Sequence, residues 1–301
     1  MQIPDNFLKG EIRNSFYVEN MMKSVWAAQI EVLNEVDKLC KKHGIQYFAD
    51  WGTLLGTVRH KGFIPWDDDV DITMKRPDYD KFCQIAEKEL DGIVIYNIYT
   101  KDDCDRLTTR VVNGTRIRFD DEFLAKYHGS PWVVGLDLFP LDFIGPSDEE
   151  DEMRCQMMRI VDFFSNNMDD GTAEEIVQSA KQIEQMCGVT FDYNAPLKRQ
   201  MLKLIDRLAG MFTDEESDRI ALMIDHAGPR PLDVYPKEYY SEAIMMPFEY
   251  TTIPVPVGYD AILRQKYGDD YMTPRVGAAS HNYPFYMQQK RELYSQLGIK
   301  I

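Results

Sequence analysis

A chain of 301 residues, 44% hydrophobic and 12% aromatic, is long enough to close one large core or two ordinary ones. Its net charge of −16 repels polyanions and excludes general DNA or RNA binding, while leaving room for a local basic pocket that takes a small anionic substrate. Residues 1–9 contain Asp5 and no apolar signal-type stretch, no run of eighteen apolar residues occurs, and the five cysteines form no CxxC pair; the expectation is a reduced, cytoplasmic protein without structural zinc, touching the inner face of a membrane at most peripherally.

Val18, Met21, Met22, Val25, Trp26, Ile30, Leu33, Val36 and Leu39 repeat at helical spacing and predict a helix over 15–43, stopped by His43-Gly44. A strand is expected at 45–49, a short helix at 53–60, a loop around Pro65 at 62–68, a strand at 69–74, and a helix from Pro77 to about Leu90. A β-rich run covers 93–99; 107–112 and 115–119 suggest a hairpin about Asn113-Gly114, and 132–139 another strand. Past Gly145-Pro146 the pattern turns helical, with helices expected at 147–168, 172–187, 195–210 and 214–226. From Gly228 the chain is rich in Pro and Tyr, with an extended piece at 253–257 and a short helix at 260–267. The fold class expected is α+β: a mixed sheet with flanking helices over 1–145, a helical subdomain over 146–227, and a segment over 228–301 that completes the core.

Chemistry concentrates between Gly52 and Asp71. Gly52-Thr53 stands at a predicted helix start, about fifteen residues ahead of Asp67-Asp68-Asp69-Val70-Asp71. On a strand, Asp69, Asp71 and Thr73 share one face and Val70, Ile72 and Met74 the other. Carboxylates so close repel unless a cation sits between them, and a divalent metal holding a phosphate ester is the natural neutraliser. The plain alternatives are an acidic loop before an amphipathic strand, and a glycine-threonine helix cap without a ligand.

Three metal motifs compete for the run. A calcium loop starting at Asp67 needs Gly at Ile72 and Glu at Asp78, and has neither. Asp69-Val70-Asp71-Ile72-Thr73 resembles the haloacid-dehalogenase phosphatase signature, yet Pro65-Trp66-Asp67-Asp68 is no apolar strand leading into it. The nucleotidyltransferase-fold pattern, a Gly-Ser/Thr helix start followed by an Asp-x-Asp strand, agrees in order and spacing. Gly52 then lets backbone approach a phosphate, and Thr53 adds a hydroxyl beside free helical N–H groups. Asp137, inside the apolar run Val133–Phe139, is the candidate third carboxylate; a strand-end role before Pro140 competes with it, and Asp142 is a weaker candidate. Asp67 and Asp68 are left with loop or supporting roles.

The stretch from Asp50 to Asp71 resembles the signature of the LicD family, Leu136–Asp142 resembles its second block, and Lys266–Pro274 its C-terminal block. Together these cover about 45–275, and the first is by far the most specific. The resemblance implies a nucleotidyltransferase-like fold and a transferase that moves phosphocholine, or another phosphoalcohol as in the fukutin group, from a CDP-linked donor to a glycan or glycolipid-linked hydroxyl with release of CMP. It implies that Asp69, Asp71 and Asp137 hold one or two Mg²⁺ (or Mn²⁺) ions and that Gly52 and Thr53 contact donor phosphate. Arg59 and Lys61 are expected to offset diphosphate charge, with solvation of a helix end as the alternative; Arg110, Arg116 and Arg118 are further anion-binding candidates. A choline headgroup would seek aromatic faces, for which Trp51, Trp66, Tyr267, Tyr271, Tyr283 and Tyr286 are available. Attack on the α-phosphate of a nucleoside triphosphate, or non-catalytic nucleotide or glycan binding, would use the same residues.

Overall fold

The computed structural model describes residues 2–4, 6–228, 234–276 and 283–299. In chain order the elements are β1 (Glu11–Arg13), β2 (Phe16–Val18), α1 (Asn20–His43), β3 (Phe48–Ala49), α2 (Trp51–His60), β4 (Asp71–Lys75), α3 (Arg76–Glu89), β5 (Val94–Tyr96), β6 (Thr109–Val112), α4 (Asp121–Lys126) and β7 (Gly135–Phe143). They continue with α5 (Asp148–Asn167), α6 (Ala173–Cys187), α7 (Leu197–Ala209), β8 (Arg219–Ala221), α8 (Met223–His226), β9 (Val234–Pro236), β10 (Ala243–Phe248), β11 (Thr251–Pro256), α9 (Tyr259–Tyr267) and α10 (Tyr286–Gln296). The chain is a mixed α/β protein with a mixed sheet flanked by helices, as expected, and no helix among the described residues is long and apolar enough to cross a membrane.

Two compact units divide it: 1–95 with 110–139 and 240–301, and 96–109 with 140–239. In the first unit the strands run in the order β3-β4-β7-β6-β5, with β3 antiparallel to β4 through Phe48 opposite Thr73 and Ala49 opposite Ile72. Helix α1 supplies much of this core: Met22, Val25, Trp26, Ile30, Val32 and Val36 are all fully buried. Gly44 in the left-handed conformation ends it, after Lys41, Lys42 and His43 have placed basic charge at its negative pole. Pro77 in the first turn starts α3. A six-residue ribbon of β10 and β11 belongs to the same unit.

Three local expectations change. The helix over 15–43 begins only at Asn20, because 11–18 forms a hairpin. Asn14 and Ser15 both take positive φ, 49° and 62°, between the paired Arg13 and Phe16, the two-residue turn that matches strand twist. Residues 115–119 form no strand. Within 214–226 the helix gives way to β8 and the four-residue α8.

In the second unit α5, α6 and α7 enclose Met158, Val161, Ile183, Met201, Leu204 and Ile205. The last residues of β7 pair with β8, Asp142 opposite Ala221, so the weaker carboxylate candidate is a buried ladder residue there. A Thr172–Glu175 capping box opens α6. Arg154 is fully buried and donates to the Phe143 and Ala209 carbonyls at 2.8 and 3.0 Å.

Candidate active site

The site is assembled at the N-terminus of α2. Asp50 caps that helix, its carboxylate accepting from Trp51 N at 2.7 Å, while Asp50 N donates to the Asp71 carbonyl at 3.1 Å. Thr53 is buried, and its hydroxyl accepts from Asp71 N at 2.9 Å, so the threonine fixes the first residue of β4 directly. Asp137 N donates to the Val70 carbonyl at 2.9 Å, setting β7 beside the same turn. Along β7 burial alternates from Gly135 to Phe139, and Asp137 falls on the half-exposed face. The cost of burying it inside an apolar run is therefore only partial.

The loop carrying the other aspartates is held from behind by α1. Trp26 Nε1 donates to the Asp67 carbonyl at 3.1 Å and Gln29 Nε2 to the Asp68 carbonyl at 2.8 Å. Trp26 itself stacks on Phe63 at 4.7 Å between centroids. Asp68 is fully buried, and its carboxylate accepts from Phe285 N at 2.6 Å. It supports the loop as expected, and needs neither metal nor substrate to satisfy that bond.

Asp67 does more than the sequence assigned to it. A Cβ built on Gly52 would lie 2.3 Å from Asp67 Oδ2, so the space opened by the missing side chain is filled by that carboxylate. Burial and then the charge of Asp69, aided by a hydrogen bond shared with it, push Asp67 up to about 8. Asp71 is also raised well above the usual carboxylate range, first by burial and then by Asp69, Asp137, Asp67 and Asp50. The structure thus brings Asp69, Asp71 and Asp137 together and adds Asp67 and Asp50 to the field they share. The signal in the sequence was Gly52 itself, a poor helix former in a first turn, which marks a close approach.

Two cations meet this cluster. Arg110 Nε donates to Asp137 Oδ1 at 3.1 Å, with both side chains partly exposed. Lys266 Nζ donates to Asp50 Oδ1 at 2.8 Å and lies 3.7 Å from the Trp51 ring centroid. The buried Lys266–Asp50 pair is 216 residues apart in the chain, which is why no local pattern pointed to it.

Gly52→Ala offers a direct check on the packing of Asp67. Alanine is favoured over glycine in a helix by about 1 kcal/mol, so the variant should keep its melting temperature within a few degrees. Its methyl must displace the Asp67 carboxylate, so if the cluster holds a divalent cation the variant's apparent affinity for it falls by roughly 10- to 100-fold, the range found when metal-ligand surroundings are disturbed. Manganese titration followed by thermal shift reads both quantities; unchanged affinity would show that Asp67 plays no part in holding a cation.

The remaining sequence candidates separate from the cluster. Arg59 and Lys61 stand at the C-terminal end of α2, about 10 Å along the axis from Gly52 at 1.5 Å per residue. Arg59 Nη1 donates to the Tyr271 carbonyl at 2.9 Å. Arg118 pairs with Asp120 at 2.8 Å. Of the aromatic candidates, Trp51 faces Lys266, Tyr286 stacks on Trp132 at 5.5 Å, and the Tyr271 hydroxyl donates to Asp260 at 2.6 Å. Trp66 and Tyr283 both meet Phe16 edge-on, at 6.1 and 5.5 Å.

In the second unit Asp151, Cys155 and His226 bring three ligand-type atoms within 4.8 Å of one another. Asp151 already accepts from Arg154, and His226 Nε2 lies 2.7 Å from its other oxygen. The Asp151 contact and then the Cys155 contact outweigh burial and raise His226 to about 9. Burial would raise Asp151, but His226, the Gly145 N–H and Arg154 prevail and lower it to about 2. A protonated imidazole and a guanidinium on one carboxylate make a self-satisfied ionic core, with no surplus negative charge for a metal.

Residues 44–153 match the family described as LicD/FKTN/FKRP, nucleotidyltransferase domain. Over 252 residues, 81% of this chain and 89% of the relative, the chain is 28% identical to the lipopolysaccharide cholinephosphotransferase LicD of Haemophilus influenzae. Uncharacterized proteins of Rickettsia typhi and Rickettsia prowazekii are each 44% identical, over 55 and 48 residues, and in both the match spans only 18% of the relative.

Proposed function

We propose that this chain, whose resemblance to the LicD family rests on matched sequence over most of its length, transfers a phosphoalcohol headgroup from a CDP-linked donor to a hydroxyl of a cell-surface glycan or its precursor. Phosphocholine is the headgroup that the Haemophilus influenzae relative's name supports, and lipopolysaccharide the acceptor. The observation that carries the proposal is the convergence of Asp67, Asp69, Asp71 and Asp137 beside the N-terminus of α2, where burial and then mutual repulsion hold Asp67 and Asp71 above the ordinary carboxylate range.

That donor set fits a hard divalent ion. It is all oxygen, its charges are unbalanced, and one Asp50 oxygen nearby is buried without a partner among the described residues. Asp69, Asp71 and Asp137, with Asp67 against Gly52, are the residues that would hold Mg²⁺ or Mn²⁺. When bound, the ion supplies neutralisation of the diphosphate and stabilisation of the charge that develops on it. The chain's own groups do the rest. Thr53 holds Asp71 in register through its backbone N–H. Lys266 holds the Asp50 carboxylate and so fixes the helix start. Asp137, half-exposed and bonded to Arg110, would accept the proton of the acceptor hydroxyl as its oxygen attacks the headgroup phosphorus and the bond to CMP breaks.

The test is product identity. With Mg²⁺ or Mn²⁺ and CDP-choline, the protein should release CMP; pyrophosphate from CTP instead would make it a nucleotidyltransferase. No product from either, together with no metal-induced thermal shift, would leave a binding protein.

A further inference from the structure

At the C-terminal end of α2 the first unit has an open cavity of about 560 Å³, lined by Arg13, Arg59, His60, Lys61, Glu249 and Met272 among others. In a chain of net charge −16, three full cations and one carboxylate at a single pocket is a concentration of the minority sign. Glu249 is committed to Arg13, accepting from Nη1 and Nη2 at 2.6 and 2.9 Å. Among the described residues Arg59 donates to the Tyr271 carbonyl and the His60 ring, and neither Arg59 nor Lys61 pairs with a carboxylate. The carbonyl end of the helix carries the negative pole of its dipole, so these cations overcome that pole to leave the pocket positive.

Two details point the same way. Lys61 takes φ 58° in the left-handed region, a position that ordinarily selects glycine, and there it presents an exposed ammonium. Arg59 Nε donates to His60 Nδ1 at 3.3 Å, which puts the ring proton on Nε2; that nitrogen is buried without a partner. Burial, and then the neighbouring Arg59 and Arg13 charges, lower His60 to about 4, so the ring stays neutral and keeps this arrangement at physiological pH. The pocket wall therefore offers guanidinium and ammonium, with Met272 and Pro274 as an apolar border.

We propose that this pocket is a second anion site, separate from the carboxylate cluster, which binds a phosphate ester the size of a phosphorylated sugar. Its volume falls within the range for small-molecule sites and exceeds what a bare phosphate fills. Unlike the cluster, it recognises the anion with fixed positive charge and needs no metal. The phosphate belongs either to the acceptor or to the nucleotide donor, and the chemistry of recognition is the same for both.

Calorimetric titration of the full chain in EDTA, with glucose 1-phosphate and with CDP-choline as probes, tests the site without any turnover. Saturable binding of at least one probe is expected, weakened tenfold or more in Lys61→Gly and further in Lys61→Gly/Arg59→Gln. Lys61→Gly relieves the left-handed backbone, so its loss of binding is not a loss of fold. Asp71→Asn, which acts on the cluster, should leave this binding unchanged. Preference for the sugar phosphate assigns the pocket to the acceptor, and preference for CDP-choline assigns it to the donor. No saturable binding of either probe, or equal binding by both Lys61 variants, overturns the site, whatever the transfer assay shows.

Discussion

Asp71→Asn is expected to lower phosphoalcohol transfer by at least about 10²- to 10³-fold, the usual cost of removing one fixed electrostatic stabiliser, while leaving the protein folded. The reason lies in what surrounds that carboxyl. Burial raises it most, and the repulsion of Asp69, Asp137, Asp67 and Asp50 adds to that. An amide removes one ionisable group from that field and keeps the shape. The sign of the pH effect follows. Asp67 and Asp71 titrate higher in the folded chain than in the unfolded one, so their contribution to stability is full below the ordinary value near 3.8 and is lost as pH rises; for Asp67 the loss runs through about 8. Metal-free wild type should therefore melt at progressively lower temperature between these limits, and Asp71→Asn should flatten that slope. Added Mn²⁺ should restore the wild type at the alkaline end and the variant much less. Full metal-dependent transfer by the variant, or an unchanged pH slope, would falsify the assignment of Asp71.

Lys266→Met is expected to destabilise the first unit by about 3–5 kcal/mol, the range for breaking one partner of a buried ion pair. The pair has 3% and 2% of its side chains exposed, so solvent cannot screen the loss. Asp50 would lose its cation, with its second oxygen already unpartnered among the described residues, inside the field of the aspartate cluster. The Trp51 face would lose its ammonium as well. Asp50→Asn/Lys266→Met should recover much of the deficit, because asparagine still caps α2 and leaves no buried charge. Denaturant midpoints of the two singles and the double give the coupling energy. A loss under about 1 kcal/mol in Lys266→Met, or strict additivity in the double, would reduce the pair to a surface-type contact.

The long periodic helices were readable because each buries one face over many turns: 147–168, 172–187 and 195–210 were expected, and α5, α6 and α7 lie within them. The hairpin at 11–18 was not, because each strand has three residues and its turn uses Asn14 and Ser15 where glycine would have announced positive φ. In 214–226 the apolar positions that looked helical include Ile220 and Ala221, which are both buried in the three-residue strand β8. At the site, Asp69, Asp71 and Asp137 could be picked because carboxylates among β-branched and apolar neighbours demand a reason. Asp67 was set aside because strand periodicity groups Asp69 with Asp71 and says nothing about a loop residue that folds back onto Gly52. Arg59 and Lys61 are near Gly52 in sequence, yet a helix of ten residues carries them to its other end. Lys266 lies too far along the chain for any pattern within a window to find.

The Lys266–Asp50 bond also imposes an order on biosynthesis. A ribosome adding about 5–20 residues per second needs roughly 10–40 s to travel the 216 positions between the two partners. Once Asp137 has been added the nascent chain carries every aspartate of the cluster, but not the lysine that anchors its helix or Phe285 N, which satisfies Asp68. The centre is sealed only when the tail returns to it, so a chain cut short before Lys266 holds all the carboxylates and still lacks a finished site.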